Sequence, residues 1–261
     1  MDALILAAGF GSRLRQAEPC KPLTQIHGLS LLDISIRQSV AAGADRVIVA
    51  TGYLAEAVEA ELRNISARLG VDIIARRVPD FSRPNGHSIL AAAPVLCDEF
   101  LLVMADHIFA RDILSSLAHA CTPVEGVVLA VDKRTQSDLI DPDDATWVKT
   151  DPGGIIEQIG KEIDAYDAVD CGAFLATRGL VTAIELAISR GRPGSLSDGM
   201  QVLADLGRAW THDIGDGWWI DIDEPRSLAL AREQALQHMP TVFADARRAA
   251  KPGTNAARVA A

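Results

Sequence analysis

Short apolar runs alternate with amphipathic segments through the first half of the 261-residue chain. Apolar runs of this length are typical of buried strands, and apolar positions three to four residues apart are typical of helices that pack on a sheet. The predicted strands cover residues 3–8, 46–51, 71–75, 100–105 and 126–132. The predicted helices cover residues 31–42, 54–69, 87–93 and 108–120.

Strands that alternate with helices predict an α/β protein with an open, mainly parallel (mixed) sheet covered by helices on both faces. Ligands bind such sheets at the carboxyl ends of the strands. Gly9, Thr51 and Asp106 each lie at the carboxyl end of a predicted strand. We therefore expect these three positions to meet in one crevice.

The pattern changes near residue 138, where shorter strand-like pieces begin. Further strands are predicted over residues 145–149, 155–159, 169–176 and 210–214, and helices over 180–189, 197–206 and 225–238. We expect one domain over residues 1–239, in which 138–239 extend the core built by 1–137. Residues 240–261 are rich in Ala, Arg, Gly and Pro and show no periodicity, which predicts a disordered tail.

Composition limits the class of protein. A hydrophobic content of 49% with 23% charged residues is ordinary for a globular protein. The net charge of −10 argues against nucleic acid as a partner, because DNA and RNA require a basic face. The four scattered cysteines predict reduced thiols rather than zinc ligands. The sequence shows neither a signal peptide nor an apolar run long enough to span a membrane, so a cytoplasmic protein is expected.

The first strand runs into a turn between Gly9 and Gly11. A glycine turn after a strand exposes backbone N–H groups that bind anions, and Arg13 and Lys21 add two cations nearby. This combination suits a triphosphate. It is not a Walker loop, and Leu14 stands where the dinucleotide fingerprint has its third glycine.

Carboxylates form a second group of candidates. Asp106 directly follows a buried strand, and Asp221 and Asp223 share one face of an extended segment. One or two carboxylates with substrate phosphates are a typical Mg²⁺ site. The competing interpretations are a helix cap at Asp106 and an acidic first turn of the last helix at Asp221 and Asp223.

Two motifs together identify a family resemblance. Residues 6–14 read Leu-Ala-Ala-Gly-Phe-Gly-Ser-Arg-Leu, and Lys-Pro-Leu follows at 21–23. They resemble the nucleotidyltransferase signature of sugar-phosphate and alcohol-phosphate pyrophosphorylases, with the proline before the lysine displaced to Pro19. The resemblance implies a Rossmann-like nucleotidyltransferase fold, a nucleoside triphosphate donor, a phosphorylated acceptor and Mg²⁺. Residues 1–137 are then the nucleotide-binding half and 138–239 the acceptor-binding half.

The resemblance also implies roles for individual residues, carried over by matching position. The implied catalytic residues are Arg13, Lys21, Asp106 and Lys161. The implied nucleotide-binding residues are Leu6, Ala7, Ala8, Gly9, Gly11, Ser12, Arg13, Lys21, Gly52, Tyr53, Asn85, Gly86, Ser88 and Asp106. The implied acceptor-binding residues are His107, Lys161, Asp170 and Gly172. The implied metal ligands are Asp106, Asp221 and Asp223. Without the resemblance, Lys161 reads as a surface lysine and Asp170 as a turn cap.

Within the family, several segments are most similar to inositol-1-phosphate cytidylyltransferases and phosphocholine-type cytidylyltransferases. These segments are residues 82–88, 104–109, 159–161, 169–172 and 219–223. This similarity implies CTP and inositol 1-phosphate as substrates, and a lipid precursor handed to a separate membrane enzyme.

Three alternatives stay open. Two concern the acceptor of an enzyme, which would be phosphocholine or an aminoethylphosphonate in the first case and a sugar 1-phosphate in the second. In the third, the chain would be a non-catalytic nucleotide-binding regulator. A homodimer through the helix-rich second half is compatible with the sequence, which leaves the oligomeric state undecided.

Overall fold

Parallel strands form the centre of the protein. The structure is a computed structural model that describes residues 1–11, 13–14 and 18–249. The strands are β1 (Asp2–Ala7), β2 (Gln25–Ile26), β3 (Leu29–Ser30), β4 (Arg46–Thr51), β5 (Asp72–Arg77), β6 (Glu99–Met104), β7 (His107–Phe109), β8 (Val127–Asp132), β9 (Trp147–Thr150), β10 (Ile156–Gly160), β11 (Ala168–Thr177), β12 (Ala209–Asp213) and β13 (Trp219–Asp221). The helices are α1 (Leu31–Ala41), α2 (Ala55–Leu69), α3 (Gly86–Ala92), α4 (Arg111–Ala118), α5 (Arg178–Ser189), α6 (Leu196–Asp205), α7 (Pro225–His238) and α8 (Pro240–Ala249), with 3-10 turns at Lys21–Leu23 and Ala93–Val95.

Nine of these strands form one sheet in the described part of the chain, in the order β10-β9-β11-β6-β1-β4-β5, with β8 paired to β11 and β12. Strands β6, β1, β4 and β5 run parallel. Strand β11 runs antiparallel to both β6 and β8, so the second half of the chain extends the parallel core. This arrangement confirms the predicted α/β fold with a mainly parallel, mixed sheet.

Helices cover both faces of the sheet, because the central strands are apolar on both sides. All six residues of β1 are buried, as expected for a strand in the middle of a parallel sheet. Leu4 and Leu6 pack on one face with α3, α5 and α6. Ala3 and Ile5 pack on the other face with α1, α2 and α4.

Two predictions from local pattern were wrong. The helix predicted over residues 108–120 begins only at Arg111, because His107–Phe109 form strand β7 and pair antiparallel with β13. The tail predicted from residue 240 begins as helix α8, whose Val242 and Phe243 are buried in a third apolar cluster. In both places a distant apolar partner determines the local structure. Residues 250–261 lie outside the described residues.

Candidate active site

Strands β1, β4 and β6 end side by side. Ala7 pairs with Thr51, and Leu6 pairs with Met104. The turn at Gly9 and the residues after β6 therefore start from neighbouring positions at one edge of the sheet, as predicted. The Thr51 side chain does not contribute to this edge, because its hydroxyl donates to Glu59 of α2 at 3.1 Å.

A cavity of about 280 Å³, here called the glycine-turn cavity, opens at this edge. Most of the positions predicted to bind nucleotide line it: Leu6, Ala7, Ala8, Gly9, Gly11, Arg13, Lys21, Asn85, Ser88 and Asp106. The cavity lining also includes Asp223, which was predicted as a metal ligand, and five residues to which no role was assigned from sequence: Pro22, Phe81, Arg83, Met104 and Ala105. Ser12, also predicted to bind nucleotide, lies outside the described residues.

Three other predicted nucleotide-binding residues, Gly52, Tyr53 and Gly86, are not among the described lining residues of the glycine-turn cavity. A Cβ atom on Gly52 would be 2.6 Å from the Ala8 carbonyl oxygen, so Gly52 allows the chain to pack closely under the turn. Gly86 packs in the same way against the backbone of Gly194. The ring of Tyr53 lies 5.1 Å from that of Phe10 and 6.3 Å from that of Phe81, so Tyr53 supports a lining aromatic residue.

Lys21 lies in the floor of the glycine-turn cavity and is only 7% exposed. It begins the 3-10 turn Lys21–Leu23, which Pro22 favours through its fixed φ. Gly11 makes the approach of Lys21 possible. The backbone of Gly11 has φ of +59°, and a Cβ there would be 2.7 Å from the Cβ of Lys21.

Three carboxylates surround the Lys21 ammonium group. Its Nζ lies 2.7 Å from Asp106 and 4.0 Å from Asp221, and it donates a hydrogen bond to Asp223. The β7–β13 pairing brings these carboxylates together, since Asp221 is paired with His107 and the Ile222 N–H donates to the Asp106 carbonyl at 2.9 Å. The structure therefore assembles the three predicted metal ligands around one predicted catalytic lysine.

The electrostatics of this cluster follow from burial and charge pairing. Burial opposes the charge on Lys21, but Asp106, Asp221 and Asp223 outweigh it and raise the pKa of the lysine. Burial likewise opposes the charge on Asp106, but Lys21 and His107 hold its pKa well below the usual range. For Asp221 burial prevails, assisted by Asp106 and Asp223, and raises its pKa to about 6.

The carboxylate cluster fits a hard divalent cation. Ligand atoms of Asp106, His107 and Asp221 lie within 4.8 Å of one another, as do those of Asp144, Asp221 and Asp223. Oδ1 of Asp221 is buried and has no hydrogen-bond partner among the described residues. A buried carboxylate oxygen that accepts no hydrogen bond and lies beside further carboxylate oxygens is a suitable environment for Mg²⁺ or a similar ion.

Asp144 is a site residue that sequence analysis missed. Its carboxylate pairs with Arg13 and with Lys161, and Arg13 also pairs with Asp223 and lies 3.4 Å from Asp141. Burial opposes the charge on Asp144, but the two cations lower its pKa to about 2. The aspartate-rich stretch 138–144 is a sequence feature that indicates a candidate site. It does not indicate which cations pair with Asp144, because Arg13 and Lys161 lie elsewhere in the sequence.

A second cavity of about 490 Å³, here called the aspartate cavity, adjoins the first. Its lining includes the four predicted acceptor-binding residues, His107, Lys161, Asp170 and Gly172. It also includes residues that sequence analysis missed, among them Asp138, Asp141, Asp143, Asp144, Thr146, Ser197 and Arg226. The two cavities share four lining residues, Asn85, Met104, Asp106 and Asp223.

His107 is held between aromatic and carboxylate neighbours. Its Nδ1–H donates to Asp106 at 2.8 Å, and its ring stacks on Trp219 at 5.9 Å. The Trp219 indole N–H donates to buried Asp132 at 2.9 Å, which fixes the plane of the stack. Burial disfavours the charged ring, but Asp221 and Asp106 outweigh burial and raise the pKa of His107 to about 9.

Gly172 allows this arrangement. It lies at an irregularity in the pairing of β11 with β8, with φ of +75°, and a Cβ there would be 2.6 Å from the His107 ring. Asp170, two residues earlier, accepts a hydrogen bond from the Gly172 N–H at 2.7 Å. Burial raises the pKa of Asp170 to about 6.

A glycine turn at the carboxyl edge of a parallel sheet, with two cations near it and a carboxylate cluster beside them, is the arrangement expected of a nucleotide-binding α/β protein. The chain belongs to the MobA-like NTP transferase domain family, whose model matches residues 3–249. It is therefore an enzyme, a nucleotidyltransferase, rather than a non-catalytic regulator. None of the helices in the described part of the chain is long and apolar enough to cross a membrane.

Two curated relatives show which members of the family this chain is similar to. The chain is 35% identical over 239 residues to the "Bifunctional IPC transferase and DIPP synthase" of Rubrobacter xylanophilus, an alignment that covers 90% of this chain and 52% of the relative. It is 30% identical to the "CMP-5'-(3-aminopropyl)phosphonate synthase" of Streptomyces rubellomurinus, covering 85% of this chain and 37% of the relative. The chain thus spans about half the length, or less, of these curated relatives.

Among solved structures, the inositol-1-phosphate CTP transferase from T. maritima matches with a TM-score of 0.79 and 26% identity, over 93% of this chain and 96% of that one. A UDP-glucose pyrophosphorylase complexed with UDP-glucose matches with a TM-score of 0.74 over 90% and 98% of the two chains. The latter is 15% identical and bears on the fold alone.

Proposed function

We propose that this enzyme transfers the cytidylyl group of CTP to inositol 1-phosphate in the presence of Mg²⁺ and releases pyrophosphate. One observation carries the proposal: the glycine-turn cavity and the aspartate cavity meet at Asp106 and Asp223. A donor in the first cavity and an acceptor in the second would then face each other at the carboxylate cluster. The T. maritima structure and the Rubrobacter xylanophilus relative support the choice of substrates.

The reaction needs no general base. The second pKa of a phosphomonoester is near 6, so the acceptor is largely a dianion at neutral pH. One of its oxygens attacks the α-phosphorus of the triphosphate, the bond between the α-phosphorus and the bridging oxygen breaks, and pyrophosphate leaves with the electron pair. Catalysis therefore depends on alignment and on neutralisation of charge.

The chain supplies both requirements from its own side chains. The glycine-turn N–H groups would bind phosphate oxygens, and Lys21 and Arg13 would neutralise the triphosphate. Both cations are already positioned by carboxylates, Lys21 by Asp106 and Asp223, and Arg13 by Asp144 and Asp223. Lys161, on the other side of Asp144, would hold the incoming phosphate.

Asp106, Asp221 and Asp223 would hold the divalent cation, with Asp144 near enough to contribute. When bound, the ion would neutralise phosphate charge and orient the α-phosphate for in-line attack. Asp221 is the strongest ligand candidate, because its Oδ1 is buried without a hydrogen-bond partner in the described structure.

The lining of the aspartate cavity favours a polyol over choline. Quaternary ammonium groups are bound by aromatic cages. The aromatic side chains in the described lining are few: Phe174, Trp219 and the ring of His107, with Trp219 already stacked on His107. Carboxylates dominate the lining instead, and they accept hydrogen bonds from hydroxyl groups.

A primary amine on the acceptor is the second candidate. The same carboxylates would pair with an ammonium group, and the Streptomyces rubellomurinus relative bears the name of an aminopropylphosphonate enzyme. An aminoalkylphosphonate is therefore the acceptor to compare with inositol 1-phosphate.

The test is release of pyrophosphate with Mg²⁺, in which the four nucleoside triphosphates are crossed with a panel of acceptors. The panel contains myo-inositol 1-phosphate, 2-aminoethylphosphonate, phosphocholine and glucose 1-phosphate. We expect release with CTP and myo-inositol 1-phosphate above every other pair. A higher kcat/KM with the phosphonate would move the assignment to the second candidate, and turnover only with a sugar phosphate would refute both.

A further inference from the structure

Arg226 is a cation of the aspartate cavity to which neither the motifs nor the reaction above give a role. It lies in the first turn of α7, is exposed and lines the cavity. Among the residues that the structure describes, it has neither a hydrogen bond nor an ion pair. By contrast, the other permanent cation of the described lining, Lys161, is paired with Asp144.

The lack of a partner for Arg226 among the described residues is notable because the cavity around it is rich in carboxylates. Nine carboxylates belong to the described lining of the aspartate cavity: Asp106, Asp138, Asp141, Asp143, Asp144, Asp170, Asp221, Asp223 and Glu224. A phosphorylated acceptor that enters such a cavity meets strong repulsion unless cations offset it. Within the described lining of this cavity, Arg226 is the guanidinium available to do so, while Arg13 of the adjoining cavity is already shared among Asp141, Asp144 and Asp223.

The position of Arg226 is unfavourable for the helix itself. A cation in the first turn of a helix opposes the helix dipole. The start of α7 is already fixed by Pro225 and by the Ser227 hydroxyl, which accepts from the N–H groups of Asp223 and Glu224 at 3.0 and 3.2 Å. Arg226 therefore contributes nothing evident to the fold. Local rules are broken in this way most often at functional positions.

The location also suits the reaction. Arg226 follows Asp223 by three residues, and Asp223 belongs to both cavities. A guanidinium fork can donate two parallel hydrogen bonds to a phosphate, which fixes its orientation as well as its charge.

We propose that Arg226 binds the phosphate of the acceptor and determines specificity for phosphorylated over unphosphorylated polyols. The inference rests on the proposed function, because it takes the aspartate cavity as the acceptor site. It adds a second cation to Lys161 in the lining of this cavity.

Titration calorimetry on the full chain tests this role directly. The variants are Arg226→Gln, which removes the charge, and Arg226→Lys, which keeps it without the fork. Arg208→Gln is the matched control, because Arg208 pairs with Glu125 away from both cavities. The probes are myo-inositol 1-phosphate, glucose 1-phosphate, 2-aminoethylphosphonate and unphosphorylated myo-inositol, and CTP binding verifies that each variant is folded.

For whichever phosphate or phosphonate the unmodified protein binds, we expect Arg226→Gln to raise Kd about 10- to 100-fold. Arg226→Lys should recover part of this loss, and Arg208→Gln should change Kd by less than about twofold. Weak binding of unphosphorylated myo-inositol should be the same in all proteins. In kinetic assays, the acceptor KM should rise in Arg226→Gln while the CTP KM stays unchanged.

A Kd for Arg226→Gln within about twofold of the unmodified protein would overturn the inference, and so would an unmodified protein that binds none of the charged probes. A different result would refute the proposed function without refuting the role of Arg226. Binding of glucose 1-phosphate alone, weakened by Arg226→Gln, would support the role of Arg226 and refute inositol 1-phosphate as the acceptor.

Discussion

Asp106 belongs to both cavities and contacts both Lys21 and His107, so we expect its charge to act on the proposed donor and the proposed acceptor together. We predict that Asp106→Asn lowers the rate of pyrophosphate release by roughly 100- to 1,000-fold, as does loss of one charged group that stabilises a transition state. Initial rates at saturating CTP, acceptor and Mg²⁺ measure the effect.

The matched control for Asp106→Asn is Asp72→Asn, at an exposed position of edge strand β5. Asp72→Asn should keep the melting temperature of the unmodified protein within a few degrees, whereas Asp106→Asn should lower it, because the Asp106 carboxylate pairs with the buried Lys21 ammonium group. The rates of the two variants are therefore compared at a temperature at which both are folded. A rate for Asp106→Asn within about threefold of normal would show that the carboxylate cluster does not hold the metal.

Asp170 gives the site a pH dependence of known sign. Burial raises its pKa to about 6, from an ordinary value of 3.8. The folded protein therefore binds this proton more tightly than the unfolded chain does, and the contribution of Asp170 to stability falls as pH rises from about 4 to 6. Asn mimics the neutral acid. We expect Asp170→Asn to leave the free energy of unfolding nearly unchanged at pH 4 and to increase it by about 1 kcal/mol or more at pH 7.5.

Urea titrations of both proteins at the two pH values check this, and all other titrating groups cancel in the difference between them. The same difference at pH 4 and pH 7.5 would show that the Asp170 carboxyl group is not perturbed.

Gly172 of strand β11 has a structural role that the hydrophobic pattern of the sequence does not reveal. Gly172 combines a left-handed backbone with contact against the His107 ring. Gly172→Ala should cost about 1–2 kcal/mol for the backbone alone and more for the displaced ring. Gly207→Ala isolates the first cost, because Gly207 has φ of +69° and open space where its Cβ would lie.

Urea unfolding and turnover distinguish the two glycines. The Gly172 variant should be less stable than the Gly207 variant and should lose activity, whereas the Gly207 variant should remain active. Equal losses of stability with full activity in both would mean that the His107 position does not depend on Gly172.

The strands and helices of the sheet core could be predicted from the local hydrophobic pattern. Continuous apolar runs predicted the central strands, and the glycine turn with Lys21 predicted part of the lining of the glycine-turn cavity. Strand β7 was not predictable, since Ile108 and Phe109 pack into different clusters only because β13 pairs with them from far along the chain. Asp144 was missed for the same reason: its partners Arg13 and Lys161 come from elements that only the folded sheet brings together.

The site joins opposite ends of the chain, since Lys21 and Asp223 are 202 residues apart in sequence and share a hydrogen bond. A ligand that bridges them should stabilise the protein against global unfolding. We predict that CTP with Mg²⁺, at about 100 times its Kd, adds about 2.7 kcal/mol to the free energy of unfolding.

Differential scanning fluorimetry of the unmodified protein and of Asp106→Asn, each with CTP alone and with CTP plus Mg²⁺, tests this linkage. The combined ligands should raise the melting temperature of the unmodified protein more than CTP alone. An equal rise in Asp106→Asn would show that nucleotide binding does not involve the carboxylate cluster.

The bond between Lys21 and Asp223 has a consequence for how the protein is made. Translation at about 5–20 residues per second would separate the synthesis of the two partners by roughly 10–40 s. For that time the nascent chain carries Lys21 without its Asp223 partner, although Asp106 is synthesised earlier. The ribosome thus delivers the glycine turn and Lys21 well before Asp221 and Asp223, and we expect activity only after these last two carboxylates have been synthesised.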